Sequence, residues 1–235
     1  MLGIVAGTVF LKDPLFKEGE QKTVNTIFGA ATVVRSEEAV YLPRHGVNRN
    51  YYVLPHMINH QANIQALKDL GVSRVISVCS TGSLKGEIKP GHIVVPHDFI
   101  ALSPTPTVYH DQAVHVPPVL DENLRENLIT TAESRLEDGL HSSGIYWQTA
   151  GPRFETRAEI ALMANFAHIV GMTMASEAVI CCELGLPCAA LCSVDNYAHG
   201  ISDDQLSAES VQESARSNAA IIADILKDVA ARSFP

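Results

Sequence analysis

The stretch Gly151-Pro152-Arg153-Phe154-Glu155 sets an aromatic face beside a carboxylate acceptor, the pair that a planar heterocycle with ring N–H groups requires. Strand-like residues 144–147 lead into it and a helix-favouring run, 157–166, leads out. Gly151-Pro152 forces a turn between them, since glycine admits unusual dihedrals and proline bars a continued ladder. In α/β proteins such lips at strand ends carry ligand chemistry. Phe154 and Glu155 alone fit equally well a packed ring and a solvated glutamate opening a helix.

Other strand ends bear on the choice. Gly7-Thr8, Arg44-His45-Gly46, Ser80-Thr81-Gly82-Ser83 and Thr173 each place hydroxyls, glycine or a cation just past an apolar run. An oxyanion calls for that set: hydroxyl and backbone N–H donors at close approach, with a guanidinium for bidentate pairing. Singly, each is also ordinary turn chemistry. The cation pair Arg44-His45 has the least reason to be there for packing. A fifth tip, Ser193 to Gly200, carries Asn196, whose amide can hold the N7 and O6 edge of a purine or close an Asx turn. The ten histidines form no metal-ligand spacing, so no metal is expected. His56, His60, His92, His97 and His110 read as turn or surface residues.

The elements that must position these groups alternate. Strands are expected at 2–6, 31–35, 39–42, 74–78, 92–100, 144–147, 169–172 and 187–194. Helices are expected at 59–70, stopped by Gly71, at 121–136, 157–166 and 176–184, and as one long amphipathic helix over 207–231 with candidate caps at Ser202 and Ser207. Residues 7–32 carry little signal, 47–52 read as a loop, and 103–118 form the longest irregular stretch. Interspersed strands and helices without repeat or linker give one α/β domain, residues 1–235, with a central sheet.

Composition bounds the rest. At 46% hydrophobic and 18% charged over 235 residues, the chain can bury a sizeable core. A formal charge of −9 argues against a nucleic-acid backbone as partner. The five cysteines lie in apolar runs without a C-x-x-C pair, as reduced thiols of a cytoplasmic protein do. The N-terminus lacks a basic n-region, and no apolar run reaches the roughly 20 residues that span a bilayer.

Taken in order, Gly7-Thr8, Pro43-Arg44-His45-Gly46, Asn59-His60-Gln61-Ala62-Asn63-Ile64, Gly82-Ser83-Leu84, Gly151-Pro152-Arg153-Phe154-Glu155-Thr156 with Ala158-Glu159, and Val170-Gly171-Met172-Thr173 with Glu177 resemble the trimeric purine nucleoside phosphorylase and methylthioadenosine phosphorylase family. The resemblance implies an α/β/α sandwich around a mixed sheet, phosphorolysis of a nucleoside to free base and ribose 1-phosphate, phosphate as co-substrate with no cofactor, and a homotrimer, or a hexamer as a dimer of trimers. It places Thr8, Arg44, His45, Ser80 and Thr173 around phosphate, Met172 under the ribose and Phe154 on the base. His115 would reach into a neighbour's site near the ribose 5′ group, and Ala208 and Gln212 match the 5′ pocket.

Two positions discriminate within the family. The methylthioadenosine branch usually has Ser at the position of Glu155 and Asp at that of Asn196. A carboxylate at 155 accepts the N1–H of hypoxanthine or guanine and repels the N1 lone pair of adenine. Asn196 can donate to N7 or O6 as charge builds on the leaving purine. Asn196, Glu155 and His45 are thus the expected catalytic set, on 6-oxopurine nucleosides or methylthioinosine, with methylthioadenosine as the alternative. The chain departs from the family at Ala6-Gly7-Thr8-Val9, which is less glycine-rich, and at Ser80, where alanine is common.

Three rivals differ in chemistry. Arg-His-Gly also opens the histidine phosphatases, but there it follows the first strand. A nucleoside-binding protein has little use for Arg44, Ser80 and Thr173. A nucleoside hydrolase would show an aspartate cluster for calcium.

Overall fold

A computed structural model describes residues 1–10, 19–47, 52–203 and 207–232, apart from the Ala208 side chain. The longest strands are β5 (Arg74–Ser83) and β11 (Cys188–Tyr197), neighbours running parallel in the middle of a mixed sheet. The other edge of β5 pairs parallel with β1 (Leu2–Ala6) and then, at Gly82 and Ser83, antiparallel with β10 (Ile169–Gly171). From β1 the sheet continues through β4 (Ala39–Pro43), β3 (Gly29–Arg35) and β2 (Glu20–Thr26). From β10 it continues through β9 (Ile145–Gln148) to β7 (Asp98–Ala101). Beyond β11 lie β6 (Ile93–Val94) and β8 (Leu140–His141).

Helices cover both faces, because the central strands are apolar on both. Along β5, Val75 and Cys79 turn to a core shared with α1 (His60–Asp69) and α4 (Met174–Glu183). Ile76 and Val78 turn to a second core with α2 (Glu122–Glu133), α5 (Ala208–Ser217) and α6 (Ala219–Ala231). The period of two is the reason one strand feeds two layers. A smaller cluster holds α3 (Arg157–Met163) against Trp147 and Val170. The result is the expected α/β/α arrangement around a mixed sheet.

Several elements differ from the expectations. β2 was not anticipated: it is an edge strand, mostly exposed, and Glu20–Thr26 has no apolar alternation to read. Residues 92–100 form two strands in different parts of the sheet, broken at Pro96. β8 is only two residues long and left no pattern. The polar tips 80–83 and 195–197 are not turns but the last residues of β5 and β11, which hydrogen-bond each other to their ends. The last helix is two, divided at Asn218, whose buried side chain turns inward to donate to Ser193 Oγ at 2.7 Å. Ser207 caps α5 through a capping box, and Ser202 caps no helix. Part of the expected loop over 47–52 lies outside the described residues.

Candidate active site

A cavity of about 240 Å³ opens where β5, β10 and β11 end, beside the N-terminus of α4. Its lining includes Thr8, Arg44, His45, Ser80 and Thr173 together with Phe154, Glu155, Asn196 and Met172. The polar tips drawn from sequence therefore converge, although they span positions 8 to 196. His115 does not line this cavity and is exposed on the surface.

Arg44 follows β4, beside the end of β1, and is 4% exposed. Its Nε donates to Glu177 Oε1 at 2.6 Å, and its Nη2 to Glu177 Oε2 at 3.0 Å and Val5 O at 2.9 Å. Nη1 donates to Val78 O at 2.8 Å. Of the five N–H groups of a guanidinium, one on Nη1 is left for a ligand. The expected bidentate contact with an oxyanion is corrected by this geometry, because the fork of the guanidinium is already taken by Glu177. What remains is a fixed charge with a single directed donor. Burial opposes the charge, but the Glu177 carboxylate keeps Arg44 above its ordinary value. Burial pushes Glu177 up, while Arg44 and the Ser77 hydroxyl pull it down.

His45 is neutral at pH 7. Burial and the neighbouring Arg44 charge lower it from 6.5 to about 4. Nδ1 lies 2.7 Å from Val53 O, and a carbonyl only accepts, so Nδ1 carries the hydrogen. Nε2 is then an acceptor, suited to a protonated oxyanion and not to a bare one. Tyr52 stacks on the ring at 4.2 Å. Gly7 makes room for it: a Cβ there would meet His45 Nε2 at 2.6 Å and Arg44 Nη1 at 3.2 Å.

His60, expected on the surface, is buried instead, with Nδ1 3.9 Å from Glu177 Oε1. The N-terminus of α1 carries it in under the Asn59 cap, and burial, Arg44 and His45 lower it to about 3. Thr173 precedes α4 but makes no capping bond with its side chain; its hydroxyl lies 3.8 Å from Cys79 Sγ, and the residue lines the cavity. The Tyr146 hydroxyl takes up the backbone N–H groups of Thr173 and Met174.

Gly151-Pro152 is a cis peptide with Gly151 at φ 64°, and Phe154 follows with 39% exposure. Glu155 is buried: Thr149 Oγ1 donates to its Oε1 at 2.6 Å, which leaves Oε2 for a donor in the cavity. Asn196 Nδ2 donates one hydrogen to Tyr197 O at 2.8 Å and has a second to offer. Its approach depends on Gly82, where a Cβ would stand 3.1 Å from Nδ2.

Sequence reasoning missed Tyr52, Leu54, Pro55 and Val211, which add an apolar wall to the cavity. The first three border a segment with no periodicity, and Val211 has only the general pattern of an amphipathic helix. Gln212 lines the cavity, while the side chain of Ala208 lies outside the described residues. Among the described residues no group of three or more His, Cys, Asp or Glu side chains could hold a metal ion. The five cysteines are free, and no described helix is long and apolar enough to cross a membrane.

Comparison with known proteins adds independent findings. The family profile described as Phosphorylase superfamily matches residues 5–231. The chain is 41% identical over 223 residues to a probable 6-oxopurine nucleoside phosphorylase of Archaeoglobus fulgidus, covering 93% of this chain and 91% of that one. It is 38% identical over 218 residues to a probable S-methyl-5′-thioinosine phosphorylase of Methanocaldococcus jannaschii, covering 91% and 85%. Among solved structures, methylthioadenosine phosphorylase from Schistosoma mansoni in complex with adenine superposes with a TM-score of 0.88 at 26% identity, over 98% of this chain and 90% of that one.

Proposed function

The chain belongs to the phosphorylase superfamily, and on that premise we propose that it is an enzyme that uses phosphate to cleave the glycosidic bond of 6-oxopurine nucleosides, releasing free base and ribose 1-phosphate. The observation that carries the base assignment is the pairing of Glu155 and Asn196 in one cavity with Phe154. Glu155 accepts N1–H of a 6-oxopurine, Asn196 donates to its N7 or O6 edge, and Phe154 packs on the ring. Phosphate occupies the end lined by Thr8, Arg44, His45, Ser80 and Thr173. The Arg44 donor and three hydroxyls face its oxygens, and neutral His45 accepts from its P–OH. Met172 lies under the ribose.

In this reading the reaction needs neither a metal nor a covalent enzyme intermediate. Phosphate held beneath C1′ stabilises the oxocarbenium-like state by its charge, and the fixed geometry supplies much of the rate. Asn196 and Glu155 stabilise the charge that develops on the departing base.

A second reading, 5′-methylthioinosine as substrate, is favoured by the apolar wall of Leu54, Pro55 and Val211. Methylthioadenosine is opposed by Glu155, which would face a lone pair at N1 of adenine. We further read the enzyme as a cytoplasmic homotrimer, or a dimer of trimers, with His115 completing a neighbour's site. The exposed apolar residues Val114, Val116 and Val119, close to His115 in the chain, support an interface there.

The test is base release from inosine, guanosine, methylthioinosine and methylthioadenosine, each with and without phosphate. Phosphate-dependent turnover of the 6-oxopurines is the expected result. Preference for methylthioadenosine would sink the base assignment, and turnover independent of phosphate would sink the mechanism.

A further inference from the structure

Asp195 is 2% exposed, and the reaction as described makes no use of it. It sits at the register shift between Val194 and Asn196, the extra residue of a bulge on β11 opposite Thr81 and Gly82 of β5. Such a bulge re-aims the chain next to a site, and here Asn196, the base contact, follows at once.

The carboxyl is held from one side. Asn218 Nδ2 donates to Ser193 Oγ at 2.7 Å, and the Ser193 hydroxyl donates in turn to Asp195 Oδ1. Oδ2 is buried and bonded to no described residue. A buried oxygen without a partner is costly, and the Ser80 hydroxyl is close enough to the carboxyl group to pull its pKa down. Ser80 and Ser193 are partners in register across β5 and β11, so their side chains share the face covered by α5 and α6. Ser80 also lines the cavity. A line of polar groups thus runs from the α5–α6 junction through Asp195 to the cavity wall.

We propose that Asp195 is a positioning residue for phosphate, its carboxyl proton deciding whether the Ser80 hydroxyl gives or receives a hydrogen bond in the cavity. The proposal rests on the phosphorylase reading. With the proton on Oδ2, Asp195 donates to Ser80 Oγ, and the serine hydrogen is free to donate to a phosphate oxygen. With the proton gone, Ser80 donates back to Asp195 and turns lone pairs toward an anion. The carboxyl proton leaves to or returns from solvent, breaking or forming the Asp195 O–H bond, and otherwise only hydrogen bonds change.

Burial raises Asp195 from 3.8 to about 7, against the lowering influence of the Ser193 and Ser80 hydroxyls. The groups around it are Ser193 and the thiol of Cys192 from its own strand, Ser80 from β5 and, through Ser193, the neutral Asn218. Cys192 is itself pushed up by burial, so it stays a neutral thiol through this range. The two states of Asp195 therefore both exist near neutrality.

The experiment measures KM for phosphate from pH 5.5 to 8.5 in the wild-type enzyme, Asp195→Asn and Ser80→Ala. Phosphate ionises in the same range, but identically in all three, so ratios between enzymes isolate the protein group. Asn at 195 donates permanently and mimics the protonated acid. Its KM is expected to match wild type at low pH and to lie roughly three- to tenfold below it at high pH, the worth of one hydrogen bond. Ser80→Ala is expected to bind phosphate that much more weakly than wild type at low pH and about equally at high pH. KM for the nucleoside should not follow this pattern. If Asp195→Asn does not fold, the ratio of Ser80→Ala to wild type carries the test alone. Ratios constant with pH would overturn the proposal. Wild-type turnover that ignores phosphate would remove the phosphorylase reading and this inference with it.

Discussion

At the scale of single residues, the Arg44–Glu177 pair fixes the charge proposed to hold phosphate. Both side chains are 2% exposed, and the Glu177 carboxyl is also held by the Ser77 hydroxyl. Removing one member of such a pair strands the other charge without water. Glu177→Gln is therefore expected to cost about 3–5 kcal/mol in denaturant unfolding and to raise KM for phosphate, because Arg44 loses the anchor that aims its remaining donor. Glu159→Gln, which breaks the exposed pair between Arg153 and Glu159, is the control and should leave both quantities nearly unchanged. Equal effects from the two substitutions would show that burial of the pair does not matter.

At the scale of elements, close approaches of backbone to ring decide where the helices can sit. A Cβ on Gly171, the last residue of β10, would stand 2.3 Å from the Tyr146 hydroxyl, which is fully buried and holds the first N–H groups of α4. Gly171→Ala is expected to destabilise by about 1–3 kcal/mol through overpacking and to weaken phosphate binding, since Thr173 moves with the helix end. Gly86→Ala, with nothing within 4 Å of its Cβ, should do neither. Unfolding curves and phosphate titrations of the two variants check this, and a silent Gly171→Ala would mean that Tyr146 can yield.

The elements also show what the sequence could and could not convey. Strands buried on both faces announce themselves as apolar runs, so β1, β4, β5 and β11 were legible at least in their first halves. Their polar ends read as turns because hydroxyls and an amide follow the apolar residues; only the partner strand alongside keeps them extended. β2 and β8 had no burial to imprint a pattern. The convergence of Thr8, Arg44, Ser80, Phe154, Glu155 and Asn196 was legible through ordered motifs. The use of Arg44 was not, because its partner lies 133 positions away on a helix face with no local mark. The buried place of His60 was hidden for the same reason.

At the scale of the whole molecule, the proposed role of His115, which lies on an exposed segment, would have a neighbouring chain complete the site. Sedimentation is expected to give a species of three chains or six. His115→Ala should then raise KM for the nucleoside while leaving KM for phosphate in place. A fully active single chain would overturn both the trimer and the role of His115.

The distance between Arg44 and Glu177 has a further consequence during synthesis. Ribosomes add about 5–20 residues per second, so Arg44 emerges on the order of ten seconds before the carboxylate that will neutralise it, 133 positions later. The outer edge of β5 waits nearly as long, for β11 is the strand that closes it. Through that interval the nascent chain holds an unpaired strand with Val75, Ile76 and Val78 on its two faces, a template for association with other chains. The partner of Arg44 and the strand that protects β5 both lie in the late stretch 174–197. A chain that stops before residue 188 keeps Glu177 but lacks β11, so the edge of β5 stays unpaired and the chain is set to aggregate before it could show weak activity.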